Sequence, residues 1–227
     1  MNQLDPHNFH SDLIKTVLIE ENPELGTFFE SAMKTTIIAI EKEIRKTETR
    51  YKELEVEQKN LSKEYHQTGI PNQNDMTLLE NLGDCSMHKG WLYENLTAIY
   101  EMRIINLFKS LEIGIKYKIE QAYKGVETKQ FFRWQVLIEF LRTKNISPPS
   151  LKGYQETNQL RVVNNQIKHG GELNNKVRNI PEFVSDNQFH FDSLQKFLAR
   201  VSEPVNQFFS ELTRNIYSDL YEFDKTT

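Results

Sequence analysis

Apolar residues recur at heptad spacing from Ile37 onward: Ile37, Ile40, Ile44, Tyr51, Leu54, Leu61 and Tyr65 occupy a and d positions, with Thr47 and Gln58 as the two weak places. Between Glu41 and Glu64 seven acidic and seven basic residues are interspersed, as on a solvated helix face. The pattern predicts one long helix over Thr27–His66, ended by Gly69-Ile70-Pro71-Asn72. A narrow seam must be covered. The next helical region, folding back antiparallel after a short loop, is its natural partner.

The rest of the chain reads as helix too. Leu13, Ile14, Val17 and Leu18 predict a first short helix over Ser11–Ile19, interrupted by Asn22-Pro23 and Gly26. After the long helix, Asp75 or Thr77 is placed to cap the return, with Glu80 three residues beyond Thr77. Gly83 and Gly90 then argue against continuity. From Trp91 an apolar stripe runs through Leu96, Met102, Phe108 and Ile115 to Ala122, a helix of about thirty residues that Gly125 breaks. Thr128–Thr143 predicts one amphipathic helix. Ser147-Pro148-Pro149-Ser150 is a stop, with Ser150 placed to cap a helix over Leu151–His169, which Gly170-Gly171 ends. A looser segment closes at Asn179-Ile180-Pro181. The last helix spans Asp192–Leu220, with Pro204 expected to kink or split it.

No alternating strand pattern and no fixed-period repeat appears. The expected fold is all-α: an antiparallel helical bundle (76–227) with a long N-terminal helical hairpin extension (1–75), together one continuous domain. Only 9 glycines and 7 prolines in 227 residues fit long helices better than sandwiches or barrels.

Composition limits function. The net charge of -4 excludes a nucleic-acid binder that is basic all over, so any such role needs a local patch. Cys85 is the only cysteine, which rules out an intrachain disulfide and a cysteine-based zinc site. Met1–His10 is polar and lacks the apolar core of a signal peptide. No apolar run approaches the roughly 18 residues of a membrane span. The expectation is a cytoplasmic protein without membrane contact.

The local patch exists. On a helical wheel Leu160, Val163 and Ile167 share one side of the 151–169 helix. Arg161, Asn165, Lys168 and His169 share another, with Tyr154 and Asn158 earlier in the same sector. Lys152 to Ile180 holds five basic residues (Lys152, Arg161, Lys168, Lys176, Arg178) against Glu156 and Glu172. A histidine gives and takes protons near neutral pH, and Arg and Lys stabilise phosphate. No carboxylate accompanies them, which disfavours a metal-dependent nuclease. The set suits metal-independent RNA cleavage by an internal 2′-hydroxyl, with no metal or cofactor. Lys168-His169 before Gly170-Gly171 equally suits any helix C-terminus, where cations are favourable.

The stretch Gln159-Leu160-Arg161-Val162-Val163-Asn164-Asn165-Gln166-Ile167-Lys168-His169-Gly170 resembles the signature helix of HEPN domains (higher eukaryotes and prokaryotes nucleotide-binding). The aromatic-rich segment from Phe131 and the Asn-Ile-Ser-Pro-Pro loop before it resemble the family's arrangement. The resemblance covers Trp91–Leu220 and implies an all-α bundle. It also implies, for active members, a metal-independent endoribonuclease of toxin–antitoxin or anti-phage systems, with one composite site across a homodimer. Carried onto this chain, His169 takes the histidine role and Asn165 the polar role. The family's arginine position falls on Asn164, while Arg161 lies seven intervening residues before His169. Arg161, Asn164, Asn165 and His169 are then the catalytic candidates, and Lys168, Asn158 and Tyr154 the substrate-binding ones. The alternative is a catalytically inactive HEPN-like module for dimerisation and for protein or nucleic-acid binding, with the Thr27–His66 helix offered to a protein partner.

The remaining candidates carry less. His7, His10, His66, His88 and His190 have no ligand-like spacing beyond His7/His10. Asp84-Cys85-Ser86-Met87-His88 reads as a helix junction.

Overall fold

The computed structural model describes Leu25 and residues 27–68 and 74–224. The chain is all-α, with no strand among the described residues. Among the described residues six helices follow one another: α1 (Thr27–Thr68), α2 (Asn74–Ala122), α3 (Trp134–Thr143), α4 (Tyr154–His169), α5 (Asn175–Arg178) and α6 (Phe191–Asp224). Short 3-10 turns lie at Thr128–Phe132, Pro148–Ser150 and Pro181–Phe183. The expected Ser11–Ile19 helix and the turn around Gly69-Ile70-Pro71-Asn72 lie outside the described residues.

The heptad seam of α1 is buried against α2 at Ile37, Ile44 and Leu54. Thr47, its weak place, is also buried. Its hydroxyl donates to the Glu43 carbonyl at 3.0 Å, so no polar group is stranded. The pairing is antiparallel: the Tyr93 hydroxyl donates to Glu48 Oε1 at 3.0 Å, while Arg103, further along α2, pairs with Glu30, earlier in α1.

One helix of 49 residues replaces the break expected at Gly83 and Gly90. Each glycine costs about 1 kcal/mol in a helix interior. Leu78, Leu82, Leu92 and Leu96, all buried, bracket the two glycines and hold the helix to α1 through them. Helix α2 therefore serves both the hairpin and the bundle. Its C-terminal half (Ile104, Leu111, Ile115, Ile119) shares one core with Val201, Val205, Phe209 and Ile216 of α6, and Ile37 and Ile44 of α1 join that core. Leu54, Leu78 and Leu82 form a separate cluster further out along the hairpin.

Three further expectations are corrected. Thr128–Thr143 is not one helix: Arg133 is extended (φ -92°, ψ 113°) between the Thr128–Phe132 turn and α3. In an unbroken helix Phe131 and Phe140 would point about 180° apart. Here their rings meet at 4.9 Å, and bringing them together requires the break. Ser150 does not cap α4. Its hydroxyl donates to the Ser147 carbonyl at 2.8 Å, and α4 starts later, at Tyr154. Gly153, just before it, has φ +75°, and a Cβ there would sit 1.8 Å from the Pro204 carbonyl oxygen. The start of α4 is thus set by its contact with α6. Pro204 itself does not split α6, because buried Phe197, Leu198 and Val201 on one side and Val205, Phe208 and Phe209 on the other pin both halves.

Candidate nucleic-acid face on α4

Helix α4 buries Thr157, Leu160, Val163, Asn164 and Gln166. Its other side presents Asn165, Lys168 and His169, all exposed, with Tyr154, Asn158 and Arg161 half-buried. Asn158 sits one turn before Arg161, and its Oδ1 accepts from Arg161 Nε at 3.2 Å and Nη2 at 3.0 Å. That bond steers the guanidinium without neutralising it. Among the described residues no carboxylate pairs with Arg161, Lys168 or Lys176, whereas Lys152 reaches Glu211 at 3.8 Å. Tyr154 is anchored by its ring, 5.9 Å from that of Phe208.

Asn164 is the exception among the sequence candidates. It is 0% exposed. Its Nδ2 donates to Asn165 Oδ1 at 3.4 Å and its own Oδ1 is buried without a partner. It therefore does not share a surface with Arg161, Asn165, Lys168 and His169. The signal was in the sequence: Leu160, Val163, Asn164 and Ile167 have the i, i+3, i+4, i+7 spacing of one buried face. Arg161 and His169 are separated by about 12 Å along the helix axis, too far for one helix to bring both to the same phosphate.

Sequence reasoning missed two positioning groups. Gln166 is buried, and its Nε2 donates to the Gly170 carbonyl at 2.9 Å and the Glu172 carbonyl at 3.2 Å. Its Oε1 accepts from the Asn174 backbone and side chain. Asn174 in turn caps α5 by accepting from the Lys176 and Val177 amides. One glutamine thus ties the end that carries Lys168 and His169 to the turn that carries Lys176 and Arg178. The second group is Arg200 of α6, which donates to Glu182 at 2.6 and 2.9 Å and to Gln159 of α4 at 2.9 Å. Arg200 has no local signature, because tertiary packing brings it to Gln159 and Glu182, whereas the partners of Gln166 lie within eight residues of it.

The Arg200 guanidinium, through its hydrogen bonds, holds the Glu182 carboxyl below the usual carboxylate range. A depressed carboxylate contributes stability that is present above its unfolded pKa and is lost as pH falls through the folded one. Glu182→Gln is therefore expected to flatten the fall of urea midpoint between neutral and acid pH. An unchanged acid slope would count against this pair.

Cys85 and His88 lie on the continuous α2, not at a helix junction. With Glu43, Lys46, Thr47, Arg50 and Asp84 they line an open groove of about 350 Å³ between α1 and α2. Among the described residues no three His, Cys, Asp or Glu side chains are grouped to hold a metal ion. Likewise, among the described residues, no helix is long and apolar enough to cross a membrane. No protein-family model, curated protein or solved structure matches this chain.

Proposed function

We propose that this protein is a HEPN-like, RNA-directed protein that acts as a dimer and cleaves RNA without a metal ion through the outer face of α4. The observation that carries the reading is a cationic, amide-rich helix face where, among the described residues, no carboxylate pairs with Arg161 or Lys168, in an otherwise acidic chain. Phosphate supplies the missing anion. Arg161, held by Asn158, and Lys168 balance the charge that builds on phosphorus. Asn165 offers hydrogen bonds to a phosphate or a hydroxyl.

In the reaction His169 takes the proton of a 2′-hydroxyl. The 2′-oxygen bonds to the adjacent phosphorus as the bond to the 5′-oxygen breaks. The leaving oxygen takes a proton from water, and the imidazolium formed on His169 returns its proton to solvent. A 2′,3′-cyclic phosphate and a 5′-hydroxyl result. The two-copy arrangement answers the separation along α4, since a twofold axis sets Arg161 of one copy against His169 of the other. Asn164 has no part in these steps.

The burial of Asn164, where the family pattern has arginine, favours a second reading: an inactive HEPN-like module that binds RNA without cutting it. One experiment decides. RNA is incubated with the protein in EDTA, with product ends mapped and binding followed by anisotropy. Cleavage to cyclic phosphate, reduced about 10²–10⁴-fold by His169→Ala, supports the nuclease. Binding alone, weakened by Arg161→Ala with a salt slope reduced by about 1, supports the module. Neither binding nor cleavage over several RNAs removes both.

A further inference from the structure

The seam of α1 is taken up by α2, the partner expected for it. Open apolar side chains lie along the outer side of α2. Met76, Met87, Trp91 and Met102 are each at least 50% exposed, with Met87 at 72% and Trp91 at 58%. On a wheel at about 100° per residue these four fall within roughly 80° of one another, and Glu80, Asp84, Glu94 and Glu101 fall in an overlapping sector. None of these carboxylates forms a salt bridge among the described residues. Glu101 is half-buried, and desolvation pushes its carboxyl above the usual range. Trp91 is steadied by His88, whose ring stacks on it at 6.0 Å and 26°.

We propose that this face of α2 docks an amphipathic helix of a partner protein, with the apolar side over Met87 and Trp91 and lysines or arginines on Glu80, Asp84, Glu94 and Glu101. Met87 and Trp91, about one turn apart, form the centre of this face, with Met76 and Met102 about three turns to either side. Methionines adapt to varied apolar partners, and an amphipathic helix presents its apolar anchors at i, i+3, i+4 and i+7. Charge selects the occupant. A second copy would set its own carboxylates against these, and like charges oppose that pairing. A basic helix turns the same carboxylates into partners. This inference does not depend on the RNA reading.

The test uses the full chain and two labelled probe peptides, each about five helical turns long. One is an amphipathic pattern of leucine and lysine, the other the same pattern with glutamate for lysine. The leucine–lysine peptide is expected to bind saturably by anisotropy and the leucine–glutamate peptide not to bind. Trp91→Glu is expected to weaken binding about tenfold or more, and Glu94→Lys to weaken it while reducing its salt dependence. Unchanged circular dichroism shows both variants folded. Equal binding of the two peptides, no saturable binding, or binding untouched by Trp91→Glu overturns the proposal. So does a sedimentation dimer of the wild type that Trp91→Glu converts to monomer, which assigns the face to a second copy.

Discussion

Gly153→Ala is expected to lose on the order of 4 kcal/mol of stability. A residue with a Cβ costs roughly 1–2 kcal/mol in the left-handed region, and overpacking a close contact typically costs about 1–3 kcal/mol more. Gly153 meets both conditions. Its φ is +75°, and the added Cβ would fall 1.8 Å from the Pro204 carbonyl oxygen. That neighbour is backbone, so α6 as a whole must move. For a chain of this length the melting temperature should fall by roughly 10 °C. Gly125→Ala is the control. It also has positive φ (+80°) but nothing within 4 Å of the added atom, so only the backbone part applies. Equal losses at the two positions would show that the α4–α6 contact adds nothing.

Phe208→Ala should cost about 3–5 kcal/mol, the usual range for emptying a buried aromatic site. Phe208 is 1% exposed, and its ring meets Trp134 of α3 at 6.5 Å and Tyr154 of α4 at 5.9 Å. Three helices converge on it. The urea midpoint should drop with no change in the denaturant slope. A changed slope would mean that α4 loosens without global unfolding. The two substitutions are expected to combine to less than their sum. The Phe208 Cβ lies 3.3 Å from the atom that alanine adds at Gly153, so a vacated ring site gives α6 room to retreat. Strict additivity would contradict this shared contact.

Local pattern carried far in this chain because its elements are long. Heptad spacing over seven positions averages out single exceptions such as Thr47, and the absence of alternation excluded strands. It erred where one contact outweighs many propensities. Gly83 and Gly90 looked like breaks, yet buried leucines around them hold α2 straight through. The Phe131–Phe140 contact split the 128–143 segment, which no period within that segment reveals. On α4 the outer face of Arg161, Asn165, Lys168 and His169 was legible from the wheel, as was the cap at Gly170-Gly171. Asn164 is polar, yet its position one turn after Leu160 puts it on the buried side.

By itself the sequence determined the helical class, the hairpin seam and the polar face of α4. These depend on periodicities of 3.5 and 3.6 residues, which are properties of a segment alone. Tertiary structure decided the start of α4 and the tie that Arg200 makes to Gln159. It also decided which side of α2 stays uncovered. Each of these depends on a residue far along the chain arriving at a particular atom, as the Pro204 carbonyl arrives at Gly153, and no local pattern encodes that approach.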